Sequence, residues 1–314
     1  MSEKMMYAVR YHEFGGADVL MLEQAPRPEP QAGEVLVRVR AAGVLPVDWK
    51  IRKGLFPIPV TFPSIPGTSF AGIVEDWGVG VNGYQKGQAV FGRSTNGTYA
   101  EYTTVSTESI ALMPQSMSFE EAATLTGGAS TAWRAVTDAG VKAGDHVLIH
   151  GAAGGVGLFA VQFAKWKGAY VIGTAGPANQ DFIRSIGVDE AVDYTRDSFE
   201  EVAQAVDFVL DTIGGDTLER SWSVLKRGGV LISIVGRPPL EKGKEFGIRV
   251  LPSGLATSQD LADIASLIDQ GMVRTFVQQV YPIREVRQAH ERSEIGHGRG
   301  RIVLQISGDT YSSP

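Results

Sequence analysis

The chain has 314 residues, 43% of them hydrophobic and 20% charged, with a formal net charge of −6. That length exceeds one ordinary core and suits two domains, and the balance is that of a soluble globular protein. The acidic balance argues against non-specific affinity for nucleic acid or anionic membrane, and the absence of cysteine excludes disulfides, iron–sulfur clusters, thiolate catalysis and Cys-ligated zinc.

The apolar runs are short and broken by Gly, Pro or charge, so none is expected to span a bilayer. Met1 to Arg10 lacks an apolar export core, which points to a cytoplasmic location. His146 and His150 have the spacing of a helical metal pair but flank an apolar strand, where that spacing does not converge, so no metal site is expected.

The first third reads as strands at Tyr7–Arg10, Glu34–Arg40, Gly72–Glu75, Gln88–Phe91 and Tyr99–Thr103, separated by turn residues. Over Glu34–Arg40, Val and Leu alternate with Glu and Arg, the pattern of a strand with one face exposed. Such strands predict a small barrel or bent sandwich. A short helix is expected over Val47–Lys53. Ser118 with Glu121 forms a capping box that opens an apolar helix through Ala122 and Ala123.

From there strands alternate with helices. Strands are expected at His146–His150, Ala169–Gly173, Val206–Leu210 and Gly229–Val235. Helices are expected at Gly155–Lys167, Asn179–Ile186 and Thr217–Leu225. This βαβ alternation requires a parallel sheet covered on both faces. A strand, a helix near Glu285–Ser293 and a strand at Arg301–Ile306 close the chain, with a loose tail over Thr310–Pro314.

The segment Gly151-Ala152-Ala153-Gly154-Gly155-Val156-Gly157 joins an apolar strand to an amphipathic helix. In that setting glycines permit a tight turn and let backbone N–H groups approach a pyrophosphate, whose charge the helix N-terminus favours. The same glycines would also serve simply to pack a helix on a sheet. An acid about 20 residues on would grip an adenosine ribose 2′-OH. Here Gly173-Thr174-Ala175-Gly176-Pro177-Ala178-Asn179 carries none, which favours NADP(H). Thr174, Asn179, Arg184 and Tyr194 are the candidate phosphate contacts, although Arg184 serves equally well as a solvated helix residue. Ile213, Gly236 and Arg237 follow later strands at the edge where ligands of doubly wound folds gather.

Taken together, Glu13-Phe14-Gly15-Gly16, the run Ala41 to Lys50, Pro66 to Gly72, Gly97 to Tyr102, Thr131-Ala132-Trp133 and the glycine turn resemble the zinc-free quinone oxidoreductase branch of the medium-chain dehydrogenase/reductase superfamily. The resemblance implies an α/β fold: a β-rich GroES-like catalytic domain over residues 1–122 and 268–314, and a Rossmann domain with a doubly wound parallel sheet over 123–267. It implies NADPH-dependent reduction of quinones or of the C=C bond in α,β-unsaturated carbonyls, and a homodimer joined near Gly247–Leu251. Zinc-dependent relatives carry ligands where this chain has Val44-Leu45 and Gly67-Thr68-Ser69, so zinc chemistry is not expected. Within the branch, Leu45 replaces a usual Asn, Ser69 a usual Asp, and Lys50 and Phe56 stand where some quinone reductases have tyrosine.

Reduction of an enone needs a hydride at the β-carbon and a donor for the carbonyl oxygen, with the cofactor carrying the difficult step. Lys50, on the short helix, is the leading donor candidate, with a solvated helix lysine as its plain alternative. Asp48 divides evenly between a site role and a helix-start acid, and Thr131 between approach to the nicotinamide and a local backbone bond. Leu45, Trp49, Phe56 and Tyr99 would line an apolar substrate slot or belong to the core. His150 and His290 are left as structural. Two other activities stay open: enoyl-thioester reduction, for which no basic entry patch is visible, and a non-catalytic NADPH-binding sensor or structural protein.

Overall fold

The computed structural model describes residues 4–296 and 298–306; the tail at Thr310–Pro314 lies outside them. The chain opens with β1 (Met5–Arg10) and β2 (Met21–Pro26), which pair antiparallel as a separate sheet. Next come β3 (Glu34–Val44), α1 (Pro46–Arg52), β4 (Ser69–Trp77), β5 (Ala89–Arg93), β6 (Tyr102–Ser106), β7 (Ile110–Leu112) and α2 (Phe119–Ala122). Pro46 at the first helical position pre-sets the backbone for α1.

The alternating part follows: α3 (Ser130–Ala139), β8 (His146–Ile149), α4 (Gly157–Trp166), β9 (Tyr170–Ala175), α5 (Gln180–Ser185), β10 (Glu190–Asp193) and α6 (Phe199–Val202). It continues through β11 (Val206–Asp211), α7 (Gly215–Ser221), β12 (Leu225–Ser233), α8 (Leu240–Phe246) and β13 (Arg249–Val250). The chain then adds α9 (Ser258–Asp269), β14 (Val277–Pro282), α10 (Val286–Ile295) and β15 (Arg301–Gln305).

By contact, the described residues fall into two units, one drawn from Met1–Gly127, Thr257–Asp269 and Thr275–Pro314, the other from Gly128–Ala256 and Gln270–Arg274. The first unit is built on a sheet ordered β14-β15-β3-β4-β5-β7, with β6 also paired to β3. Its core gathers Val35, Val37, Val39, Phe70, Val74, Val90, Ile302 and Leu304. The second unit is a parallel sheet ordered β10-β9-β8-β11-β12-β13. Val147, Leu148 and Ile149 of β8 are all buried, as a strand covered on both faces requires.

Several elements differ from the sequence expectation. The helix at Ser118 keeps its capping box but is four residues long, because the chain leaves helical geometry at Thr126 and Gly127. β6 begins at Tyr102, not Tyr99. The helix expected from Gly155 starts at Gly157, and β12 begins at Leu225, a residue assigned above to the preceding helix. β14 and β15 pair parallel within an otherwise antiparallel sheet. Helix α9 falls in the first unit, whereas the resemblance implies a second domain that runs to residue 267.

Candidate functional site

In the second unit the strand order reverses beside β8: the chain steps outward to β9 and β10, then returns to β11 on the other side. The carboxyl ends of β8 and β11 therefore form the topological switch point, where open parallel sheets collect ligands. The glycine turn leaves β8 there. Gly151 adopts φ +67°, and a Cβ on it would lie 2.5 Å from Thr212 Oγ1. A Cβ on Gly157 would lie 2.2 Å from the Gly151 carbonyl oxygen. Both glycines are thus demanded by close approach.

Within the turn, the Ala152 N–H donates to Thr174 O at 2.9 Å and the Gly154 N–H to Gly151 O at 2.9 Å. The N–H groups of Gly155, Val156 and Gly157 donate to no acceptor among the described residues, and no side chain caps α4. Unspent donors at the positive end of a helix dipole make a cradle that fits an anion. Ala153 and Val156 are buried in the turn.

The neighbouring strand ends frame this cradle. Buried Asp211 accepts from the N–H groups of Ile213 (3.0 Å) and Gly214 (2.8 Å) and from Ser233 Oγ (2.7 Å), fixing the exit from β11 and leaving Ile213 exposed. Gly236 and Arg237, beyond β12, are exposed. Beyond β9, a Cβ on Gly176 would lie 3.3 Å from the Tyr194 hydroxyl. Asn179 is half-buried nearby, while Arg184 is exposed and 3.6 Å from Asp181.

Thr174 needs correction as a phosphate contact: it is buried, with its hydroxyl within hydrogen-bond distance of the Gly151 N–H and of His150. Arg196 is a further candidate that the sequence did not single out. β10 pairs with β9 so that Asp193 faces Ala175, and Tyr194, just beyond it, packs against Gly176; Arg196 follows two residues on. Arg196 is exposed and has no acidic partner among the described residues. The signal was a cation just beyond the adjacent parallel strand. Thr131, the second residue of α3, is half-buried.

The first unit carries a buried polar cluster around α1. Asp48 is 2% exposed. Its Oδ2 accepts from the Leu45 N–H at 2.8 Å and from the Tyr99 hydroxyl at 3.0 Å. Burial pushes its pKa up to about 7, against those two hydrogen bonds and the buried guanidinium of Arg301. Burial also pushes Tyr99 well above the usual phenol range, with Asp48 adding to the rise. Tyr99 is wholly buried, which removes it from the substrate slot assigned above: a side chain with no exposed surface belongs to the core.

One turn along α1, wholly buried Arg52 donates to Gly15 O (3.2 Å), His290 Nδ1 (2.9 Å) and Glu294 Oε1 (2.5 Å). A guanidinium only donates, so the proton of His290 resides on Nε2. Burial first, then Arg52, lowers the His290 pKa to about 3. Asp48 and Arg52 are four residues apart and share one helix face, a pairing the sequence could have shown.

Lys50 and Trp49 are half-buried on α1. The ammonium groups of Lys50 and Lys53 lie 5.6 and 5.5 Å from the Trp49 ring centre. Lys53 is spent on Glu294, whereas Lys50 has no acidic partner among the described residues. Leu45 is buried, and a Cβ on Gly127 would lie 2.5 Å from its Cδ1. Leu55, Phe56 and Ile58, in the loop after α1, are exposed. Among the described residues no group of three or more His, Asp or Glu side chains could hold a metal ion.

Two family models match the chain: the alcohol dehydrogenase GroES-like domain over residues 31–115 and the zinc-binding dehydrogenase over residues 186–304. The quinone oxidoreductase of Mus musculus is 33% identical, covering 97% of this chain and 98% of its own. The 2-methylene-furan-3-one reductase of Solanum lycopersicum is 31% identical over 95% of this chain and 79% of its own. The solved quinone oxidoreductase from Coxiella burnetii has TM-score 0.90 at 33% identity, covering 97% of this chain and 100% of its own.

Proposed function

The chain belongs to the quinone oxidoreductase branch of the medium-chain dehydrogenase/reductase superfamily, and from that premise we propose that it is an NADP(H)-dependent, metal-independent reductase of quinones or of C=C bonds conjugated to a carbonyl. The observation that carries this is the turn after β8. It holds three unspent N–H donors at the head of α4, and the end of β9 offers no acid to repel a 2′-phosphate. Metal independence is the part of the reading carried by residue chemistry: the chain has no cysteine, and Gly67-Thr68-Ser69 offers no imidazole or carboxylate to a zinc ion.

Gly155, Val156 and Gly157 would hold the pyrophosphate through backbone N–H groups, with Gly151 and Gly157 keeping the backbone close enough. Tyr194 and Arg196 would flank the 2′-phosphate, the arginine supplying its counter-charge. Ile213 and Thr131 would bear on the nicotinamide. When bound, the reduced nicotinamide supplies a hydride. Lys50 would donate a hydrogen bond to the acceptor's carbonyl oxygen as negative charge develops there, and Trp49, Phe56 and their apolar neighbours would exclude water from that bond. Solvent then supplies the last proton. The tomato relative's namesake compound, in which a C=C bond is conjugated to a ketone, favours the enone arm.

A homodimer through β13 is part of the same proposal, since that strand closes the sheet at one edge. The cofactor assignment is tested by titrating the protein with NADPH and with NADH while following nucleotide fluorescence. NADPH is expected to bind at least about tenfold more tightly, a difference of about 1.4 kcal/mol. Equal affinities would overturn the 2′-phosphate assignment.

A further inference from the structure

The imidazole of His150 lies buried directly beneath the glycine turn, and its hydrogen bonds have a determinable direction. The Ser221 hydroxyl donates its one proton to Thr217 O at 2.6 Å. At 3.0 Å from that oxygen, His150 Nε2 must therefore be the donor. Nδ1 is then a bare acceptor, and the Thr174 hydroxyl, 3.3 Å away, donates to it. The Thr174 oxygen in turn accepts the Gly151 N–H at 3.2 Å. One chain of bonds thus runs from Gly151 through Thr174, His150 and Ser221 to the carbonyl of Thr217. The backbone carbonyl of His150 also accepts from Thr212 Oγ1 at 2.8 Å.

We propose that His150 is a positioning residue for the dinucleotide turn: as a neutral imidazole protonated on Nε2, it orders this one-way chain, which turns the Gly151 N–H inward and leaves the donors of Gly155–Gly157 presented outward. The inference rests on the dinucleotide assignment made above. Three segments meet the ring, Thr174 of β9, Ser221 of α7 and Phe199 of α6, whose ring packs edge-on at 4.7 Å, while Thr212 after β11 holds the His150 backbone carbonyl. Burial lowers the His150 pKa to about 4, and Asp211, Arg220 and Glu200 are the charged groups that act on the ring. The neutral form that the chain requires is therefore the form present at neutral pH. Protonation at Nδ1 would place two donors face to face and strand the Thr174 proton.

The test measures NADPH affinity and steady-state kinetics for His150→Leu, His150→Asn, Thr174→Val and Ser221→Ala. Leu fills the space without hydrogen bonds, whereas the Asn carbonyl oxygen falls where Nδ1 accepts from Thr174. The inference expects His150→Leu and Thr174→Val to weaken NADPH about tenfold and Ser221→Ala about threefold. It expects His150→Asn to stay within about threefold of the parent, with kcat at saturating NADPH and KM for the acceptor little changed. A pair of variants combining both losses should bind no worse than His150→Leu alone, because one chain is broken once. Should His150→Leu fail to fold, Thr174→Val and Ser221→Ala carry the same test. Unchanged NADPH affinity in these variants, or a loss in kcat alone, would overturn the role of His150 and leave the dinucleotide assignment intact. Failure of the parent protein to bind either NADPH or NADH would overturn the assignment itself, and the inference with it.

Discussion

A carboxylate held away from water against a phenol must be anchored by its neighbours, and Asp48 is anchored at one oxygen only. Its Oδ2 takes both the Leu45 N–H and the Tyr99 hydroxyl, while Oδ1 has no partner among the described residues. This makes Asp48 the fastening of α1, while Lys50, two residues on, is the proposed donor to the substrate. Replacing Asp48 by Ala strips two donors of their acceptor and removes the acid group beside the buried Arg301. A loss of about 3 kcal/mol is expected in urea unfolding at neutral pH, and a loss under about 1 kcal/mol would contradict the assignment. Lys50→Ala, by contrast, should leave stability unchanged within about 0.5 kcal/mol. It should lower kcat/KM for the acceptor about tenfold, equivalent to about 1.4 kcal/mol of transition-state stabilisation. Unaltered kinetics would return Lys50 to an ordinary solvated helix residue. The sequence made Asp48 and Lys50 visible as candidates because polar residues on a short helix stand out. It could not divide their roles, which depend on how far Tyr99, Arg52 and Arg301 carry the surrounding surface out of water.

At the scale of elements, the glycine turn was legible because its meaning is local. A tight turn between a buried strand and a helix needs glycine wherever backbones meet, and Gly151 and Gly157 do meet Thr212 and the Gly151 carbonyl. Gly157→Ala should therefore abolish measurable nucleotide binding, since the added carbon cannot fit without moving α4 away from the turn. Retention of full affinity, measured by fluorescence titration, would mean that the turn only packs a helix on a sheet. The limits of other elements were less legible for the opposite reason. Helix α2 has a sound capping box yet ends within a turn, because Thr126 and Gly127 take non-helical geometry. The approach of Tyr194 to Gly176, and with it the candidacy of Arg196 two residues on, comes from strand pairing and not from adjacency in sequence.

At the scale of the whole molecule, the alternation of strands and helices gave away a parallel sheet, but nothing in a single strand announces its neighbours. The reversal at β8 became visible only in the pairing order. The buried titratable groups also set a pH dependence of stability. His150 and His290 are lowered to about 4 and about 3, so unfolding takes up protons on both as pH falls below the ordinary histidine range. Asp48 works in the opposite direction: raised to about 7, it holds a proton in the fold that the unfolded chain has released. Two groups against one give a net uptake of about one proton on unfolding near pH 5.5, so stability should fall by about 1.4 kcal/mol for each unit of acidification between about 6 and 5, and more steeply below that as Glu200, lowered to about 2 by Arg220, adds its own uptake. Urea titrations at stepped pH check this, and a stability that rises on acidification would show that the histidines are not neutral in the fold. For assembly, light scattering is expected to give a dimer mass that Val250→Pro, at the open edge of β13, reduces to the monomer; a monomeric parent would remove the edge-strand dimer.

The most direct measurement of the central claim is NADPH consumption against a panel of quinones, enones, enals and simple ketones, run in parallel with NADH and with a metal chelator present throughout. Steady turnover of the quinones or enones with NADPH, little with simple ketones, and no loss on chelation is the expected result. Tight NADPH binding with no acceptor reduced, or activity that disappears with the chelator, would contradict it.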